Sequence, residues 1–119
     1  MKAIDTPKIY AEVTKFIEER DWDQFHSVKN LAMALSVESS ELLEIFQWLT
    51  EADSNQVVSN PKLKTKVEEE IADIFIYLLR IAAKSNIDIE QVVLSKIKKN
   101  AEKYPVEKAK GNAKKYNEI

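Results

Sequence analysis

The sequence predicts an all-α protein built as a four-helix bundle, and three observations carry that expectation. Only one Gly and three Pro occur in 119 residues, too few breakers for many strands and tight turns. Apolar residues recur at helical spacing in four separate stretches, the period of an amphipathic helix. Two of those stretches also carry acidic pairs at i and i+3: Glu38 and Glu41 in LSVESSELLEIFQWL, Glu70 and Asp73 in EEEIADIFIYLL.

Thr6-Pro7 reads as the start of the first helix, with Thr6 as cap and Pro7 at the first helical position. Ile9, Tyr10, Val13, Phe16 and Ile17 give its stripe, which fades around Arg20 to Asp23. A short connector carries Trp22, Phe25 and His26. Ser27 then caps a second helix expected from Val28 to about Thr50, with Leu31, Leu35, Leu42, Ile45, Phe46 and Leu49 as its core. Ser36 to Ser40 lowers helix propensity beside Glu38 and suggests a bend there. Glu51 to Asn60 is polar and turn-rich, with Val57 and Val58 as candidates to pack inward. Asn60-Pro61 opens a third helix running to about Ser85, and Asn86 suits a left-handed helix end. Asp88 with Gln91 resembles a capping box for the fourth, which Pro105 stops after Tyr104. The reading is one domain, residues 1–119, with a core of about 6–105 and a flexible lysine-rich tail, 106–119.

The acid pairs are the chemical signal. Residues at i and i+3 share one helix face, so each pair aims two carboxylates the same way. Packing the two helices antiparallel would gather four. Unit charges about 4 Å apart repel by roughly 4 kcal/mol at an effective dielectric of about 20, so such a cluster calls for a cation or a proton. Oxygen-only ligation favours Mg²⁺, with Mn²⁺ as a substitute, over zinc. Taken singly, each acid is better read as a solvated residue of a chain whose charged content is 32%.

Composition excludes several function classes. Lys plus Arg number 18 against 20 Asp plus Glu, a net charge of −2 that gives no global field for nucleic acid polymers. Cysteine is absent, which removes thiolate chemistry and disulfides. The single His rules out the paired Glu-x-x-His ligation of di-iron bundles. There is no Gly-rich phosphate loop or nucleophile elbow. The N-terminus lacks an apolar signal region and no apolar run reaches spanning length; no membrane association and a cytoplasmic location are the expectation.

Glu38-x-x-Glu41 followed by Glu70-x-x-Asp73 resembles the metal-binding signature of the MazG-like, all-α nucleoside triphosphate pyrophosphohydrolases. FHSVKNLAMAL, ELLEIFQW, VLSKIKKNAEKYP and KKYNEI extend the likeness, from about Trp22 to Ile119, to the small branch that includes the dCTP pyrophosphatases. The resemblance implies Mg²⁺-dependent cleavage between the α and β phosphates, releasing a nucleoside monophosphate and pyrophosphate, with dCTP or a modified dCTP favoured and a house-cleaning role. It implies Glu38, Glu41, Glu70 and Asp73 as metal ligands, with Glu38 and Glu41 as the catalytic carboxylates. Glu41 is a candidate general base, though spacing does not separate base from ligand. Glu44 continues the same face, as an outer ligand or a solvated residue.

Lys96, Asn100, Lys103 and Tyr104 share one face of the fourth helix. Spacing alone makes them a solvated helix end; the family pattern Lys-x-x-x-Asn-x-x-Lys-Tyr-Pro makes them a phosphate grip, over which Lys114, Lys115 and Tyr116 could fold. The same resemblance marks Trp22, His26 and Trp48 as base-holding residues, with Asn30, one turn from His26, as a further reader. Helices two and three are apolar on more than one face, and the family likeness points to a homo-oligomer, a dimer of dimers. The alternatives are a related dUTP-type hydrolase and a non-catalytic helical nucleotide-binding or oligomerising module.

Overall fold

Each long helix begins where a short polar side chain satisfies its free amides. In the computed structural model, which describes all 119 residues, Asp5 Oδ1 accepts from the Lys8 amide at 3.0 Å and starts α1, Thr6–Glu19. The cap is therefore Asp5 rather than Thr6, one residue earlier than the sequence suggests, because a carboxylate competes better than a hydroxyl for the helix's positive end. Ser27 Oγ accepts from the Asn30 amide at 3.1 Å and starts α2, Val28–Phe46. Asn60 Oδ1 accepts from Leu63 at 3.1 Å and opens α4, Pro61–Lys84, with Pro61 in its first turn. Asp88 Oδ1 accepts from Gln91 at 3.1 Å and opens α5, Ile89–Lys103.

The protein is all-helical, with six α-helices rather than four. The two extra helices are single turns. Thr50 Oγ1 caps Asp53 at 3.1 Å to make α3, Glu51–Ser54, so α2 stops at Phe46 instead of reaching Thr50. The other is α6, Val106–Ala109, after Pro105. Short 3₁₀ turns occupy Asp23–Phe25, Asn55–Val58 and Tyr116–Glu118. The expected bend at Ser36 to Ser40 is absent as a break: α2 is continuous there, and Ser40 Oγ donates to the Ser36 carbonyl at 2.9 Å. That back-bond satisfies the hydroxyl without breaking the helix. Asn86 takes φ 54°, the left-handed end expected after α4.

The chain divides into two compact units, Met1–Ser85 and Asn86–Ile119. Within the first, α4 is the central element: α2 packs mainly on it, and α1 and the Asn55–Val58 turn also lie against it. Leu31 of α2, Leu79 and Ala82 of α4, and Val13 and Ile17 of α1 form the buried core. Each of the larger ones contributes about 1.5–3 kcal/mol. Val57 is half-buried, while Val58 stays exposed. Met33, Val37 and Leu43 of α2 and Ile71 and Leu78 of α4 are exposed apolar side chains. In the second unit, Tyr116 returns to the end of α5: its ring meets Tyr104 edge-on at 6.2 Å, and Lys103 Nζ sits 5.0 Å above it. No helix is long and apolar enough to cross a membrane.

Candidate active site and metal centre

The α2–α4 seam carries the acids. One carboxylate oxygen from each of Glu38, Glu41 and Glu70 lies within 4.8 Å of the others. Glu38 Oε2 and Glu70 Oε2 are buried and have no hydrogen-bond partner. No Lys or Arg forms an ion pair with any of the three. Burial pushes the Glu38 carboxyl up to about 7, helped by Glu70, Glu41 and the charge of Asp73. On Glu70, the neighbouring Glu38 carboxyl pulls downward, but desolvation and the influence of Glu41 and Asp73 win, and its net shift is upward. Orphaned, like-charged, buried oxygens converging on one point fit a hard divalent cation: it would satisfy the lone pairs that no donor reaches and offset the repulsion.

Asp73 stands outside that triplet. It is exposed, yet its charge acts on both Glu38 and Glu70. It also lines a cavity of about 620 Å³ beside the acids, whose walls include Phe16, Trp22, His26, Tyr77 and Arg80. Asp73, Tyr77 and Arg80 step by four and three residues along α4 and share one face. Burial, then Glu38 and Asp73, raise the Tyr77 phenol, so it is a neutral hydrogen-bond donor. Glu44 lies with Glu41, Lys66 and Glu70 around a separate cavity of about 430 Å³.

The cavity has an aromatic wall. Trp22 meets Phe16 edge-on, centroids 5.6 Å apart, and the Arg20 guanidinium stacks 3.8 Å from the Phe16 centroid. Burial, then the Arg80 and Lys84 charges, push His26 down from its ordinary value, and its Nδ1 is buried without a partner. A flat ring flanked by an unsatisfied imidazole nitrogen and a phenol is a surface suited to stacking and edge reading of a heteroaromatic base.

Two of the four expected base-holding residues, Trp22 and His26, therefore border this cavity. Asn30 and Trp48 do not. The Asn30 amide Nδ2 donates to the Phe25 carbonyl at 2.9 Å, which secures the connector. Trp48 follows the end of α2 and is 88% exposed. Lys96, Asn100, Lys103 and Tyr104 lie together on α5 in the second unit, all exposed.

Sequence reasoning missed Tyr77, Phe16 and above all Arg80. Arg80 is buried at 4% exposure and its Nη2 bonds Asp23 Oδ1 at 2.8 Å. A guanidinium inside the apolar run FIYLLRIAA was the available signal, since buried charges are paired.

Comparison with known proteins places this geometry in a class. The model of the MazG-like family matches residues 33–119, which include both acid pairs and the whole of α5, and the chain belongs to that family. It is 39% identical over 115 residues to dCTP pyrophosphatase 1 of Rattus norvegicus and 38% identical to that of Homo sapiens. Each alignment covers 97% of this chain and 66% of the relative, so the chain spans about two thirds of the length of these curated relatives. A crystal structure of a pyrophosphatase from Archaeoglobus fulgidus is similar at TM-score 0.77 and 38% identity, over 88% of this chain and 96% of that one.

Proposed function

We propose that the chain is a Mg²⁺-dependent nucleoside triphosphate pyrophosphohydrolase of one domain, acting on deoxynucleotides with dCTP or a modified dCTP favoured. The observation that carries this reading is the convergence of Glu38, Glu41 and Glu70 on one point, beside a cavity with an aromatic wall. The names of its relatives support the substrate class.

Glu38 and Glu70 would hold the ion through their unsatisfied oxygens, with Glu41 and Asp73 completing an all-oxygen set. A bound Mg²⁺ supplies positive charge against the phosphate oxygens and lowers the pKa of coordinated water. Glu41 accepts a proton from the attacking water at its free carboxylate oxygen, or orients that water while another acid takes the proton. Water adds to one phosphorus of the α–β anhydride, that P–O bond breaks, and monophosphate and pyrophosphate leave. Trp22 stacks the base, and His26, neutral at working pH, reads its edge. Lys96, Asn100, Lys103 and Tyr104 hold the phosphates; two ammonium groups, an amide and a phenol are suited to a polyphosphate.

The exposed Met33, Val37, Leu43, Ile71 and Leu78 support a homo-oligomer, which we read as a dimer of dimers. A house-cleaning role in the cytoplasm belongs to the same proposal. The test is pyrophosphate release from a panel of canonical and modified dNTPs and NTPs, with Mg²⁺ and with EDTA. Mg²⁺-dependent release with matching monophosphate is the expected result, fastest for dCTP. Fastest release from dUTP would reassign the substrate. Silence on every nucleotide from folded protein would leave a binding module.

A further inference from the structure

The connector between α1 and α2 is tied down twice. Locally, Asp21 turns the chain at φ 52°, Gln24 Nε2 bonds both the Asp21 carbonyl and its Oδ2 at 3.0 Å, and Asn30 holds Phe25 from below. At long range in the sequence, Asp23 Oδ1 takes Arg80 Nη2 at 2.8 Å and Lys84 Nζ at 3.1 Å. Asp23 is the residue after Trp22 and three before His26, the two connector residues that border the large cavity. Arg80 lies two helical turns from Asp73 on the same face of α4.

We propose that Arg80, acting through Asp23, is a positioning residue that seats Trp22 and His26 against the acid-bearing face of α4 and so sets discrimination between nucleobases. This rests on the nucleotide-hydrolase reading above. The physical reason is reach. The base-holding wall belongs to a connector, whereas Asp73 and Glu70 belong to a rigid helix; a triphosphate bridges both. Selectivity requires that the spacing between wall and acids be held to a fraction of an ångström. Local hydrogen bonds fix the connector's shape but not its place on α4. Only the Arg80–Asp23–Lys84 clasp does that by charge-assisted bonds, which are short and strongly directional.

The surroundings agree. Arg80 borders the large cavity on one side and, on the other, a smaller one of about 340 Å³ shared with Asp23, Thr14 and Lys84. Its side chain is only 5% exposed, against 63% for Asp23. The fixed partner is thus in the core and the adjustable one on the connector. Lys84, then Arg80, hold the Asp23 carboxyl below its ordinary value, so the clasp stays charged at neutral pH. Arg80 forms its ion pair with Asp23 and not with the acid triplet, so its part is exerted through the connector.

Asp23→Asn tests this at an exposed position that tolerates change, and Arg80→Lys keeps the cation but loses the planar fork. For Asp23→Asn, KM for the best nucleotide should rise about fivefold or more while kcat stays within about twofold. The preference for that base over the next should fall by a similar factor, and Asp23→Glu should recover part of both. Turnover of a deoxyribose triphosphate lacking a base should not change. Equal losses on all substrates, the base-free one included, would overturn the proposal, as would no change at all. A second arm needs no turnover: in a Trp48→Phe background, Trp22 emission should shift to the red and become more accessible to acrylamide on Asp23→Asn. An unchanged Trp22 signal overturns the clasp. A wild-type protein that hydrolyses no triphosphate sinks the hydrolase reading alone, and the fluorescence arm still decides whether Asp23 seats Trp22.

Discussion

Glu38 and Glu70 meet across the α2–α4 seam, each with one carboxylate oxygen shut away from solvent and from every donor. Two helices thus press their charged groups together at the contact that otherwise holds the first unit's core. Without a cation, that seam works against itself, and its cost is set by pH.

Metal-free protein should become more stable as pH falls from about 8 to about 6.5. Glu38 has its folded pKa raised to about 7 from 4.5, so folding favours its protonated form. That stability is complete below the ordinary value and is lost as pH rises through about 7. The gain over this window is about 1 kcal/mol, or a few °C in Tm. His26, pushed down, acts oppositely below about 6.5, which sets the lower edge of the window. Millimolar Mg²⁺ should flatten the slope. Scanning calorimetry at fixed ionic strength, with and without Mg²⁺, checks this; a slope that is flat without metal contradicts it.

Glu70→Gln should separate stability from metal binding. Removing one charge from the triplet should raise the metal-free Tm by relieving the repulsion among Glu38, Glu41 and Glu70. The same change should weaken Mg²⁺ binding at least about tenfold and remove most turnover. Titration calorimetry with Mg²⁺, beside thermal melts, reads both. Unchanged Mg²⁺ affinity would remove Glu70 from the ligand set.

The two tryptophans should behave differently. Trp22→Ala takes away one wall of the large cavity and should raise KM for the favoured nucleotide about tenfold, the value of one aromatic stack. Trp48→Ala, at a position 88% exposed, should change chain stability by no more than about 0.5 kcal/mol. Any loss of activity in that variant should follow protein concentration, because in the proposed homo-oligomer so exposed a ring would pack against another copy. Sedimentation and kinetics over a protein dilution series distinguish the two behaviours.

Asn60→Ala should cost about 1 kcal/mol, through loss of the cap on the Leu63 amide at the start of α4. Because α4 supports α1 and α2 alike, the loss should appear as one cooperative unfolding transition of the first unit shifted down by several °C. Urea melts followed by circular dichroism measure it, and an unshifted midpoint would show that Pro61 alone starts the helix.

Much of this was legible in the sequence for local reasons. Ser27, Asn60 and Asp88 announce helix starts because a cap needs only three neighbouring residues. Glu38, Glu41 and Glu70 announce a cluster because helical spacing fixes their faces and apolar flanks imply packing. The cap at Asp5 was missed because Asp5 and Thr6 are adjacent candidates, and the stop at Phe46 because Thr50 caps a separate turn just beyond it. Arg80 and Asp23 were out of reach for a different reason: 57 residues separate them, and no periodicity encodes a bond at that range. Asn30, bonded to the Phe25 carbonyl, and Trp48, exposed at the end of α2, mark another limit. A polar or aromatic residue near a site is identical in sequence whether it faces a ligand, a backbone carbonyl or solvent.

The clustering of acids on α2 and α4 also bears on how long the protein survives in a cell. Those helices are joined by the seam that carries the proposed ion site, so release of an ion bound there and parting of the helices would be linked events. Proteases act on the parted form in proportion to its population. Abundance of this chain should therefore track free divalent cation, falling under magnesium starvation even at constant synthesis.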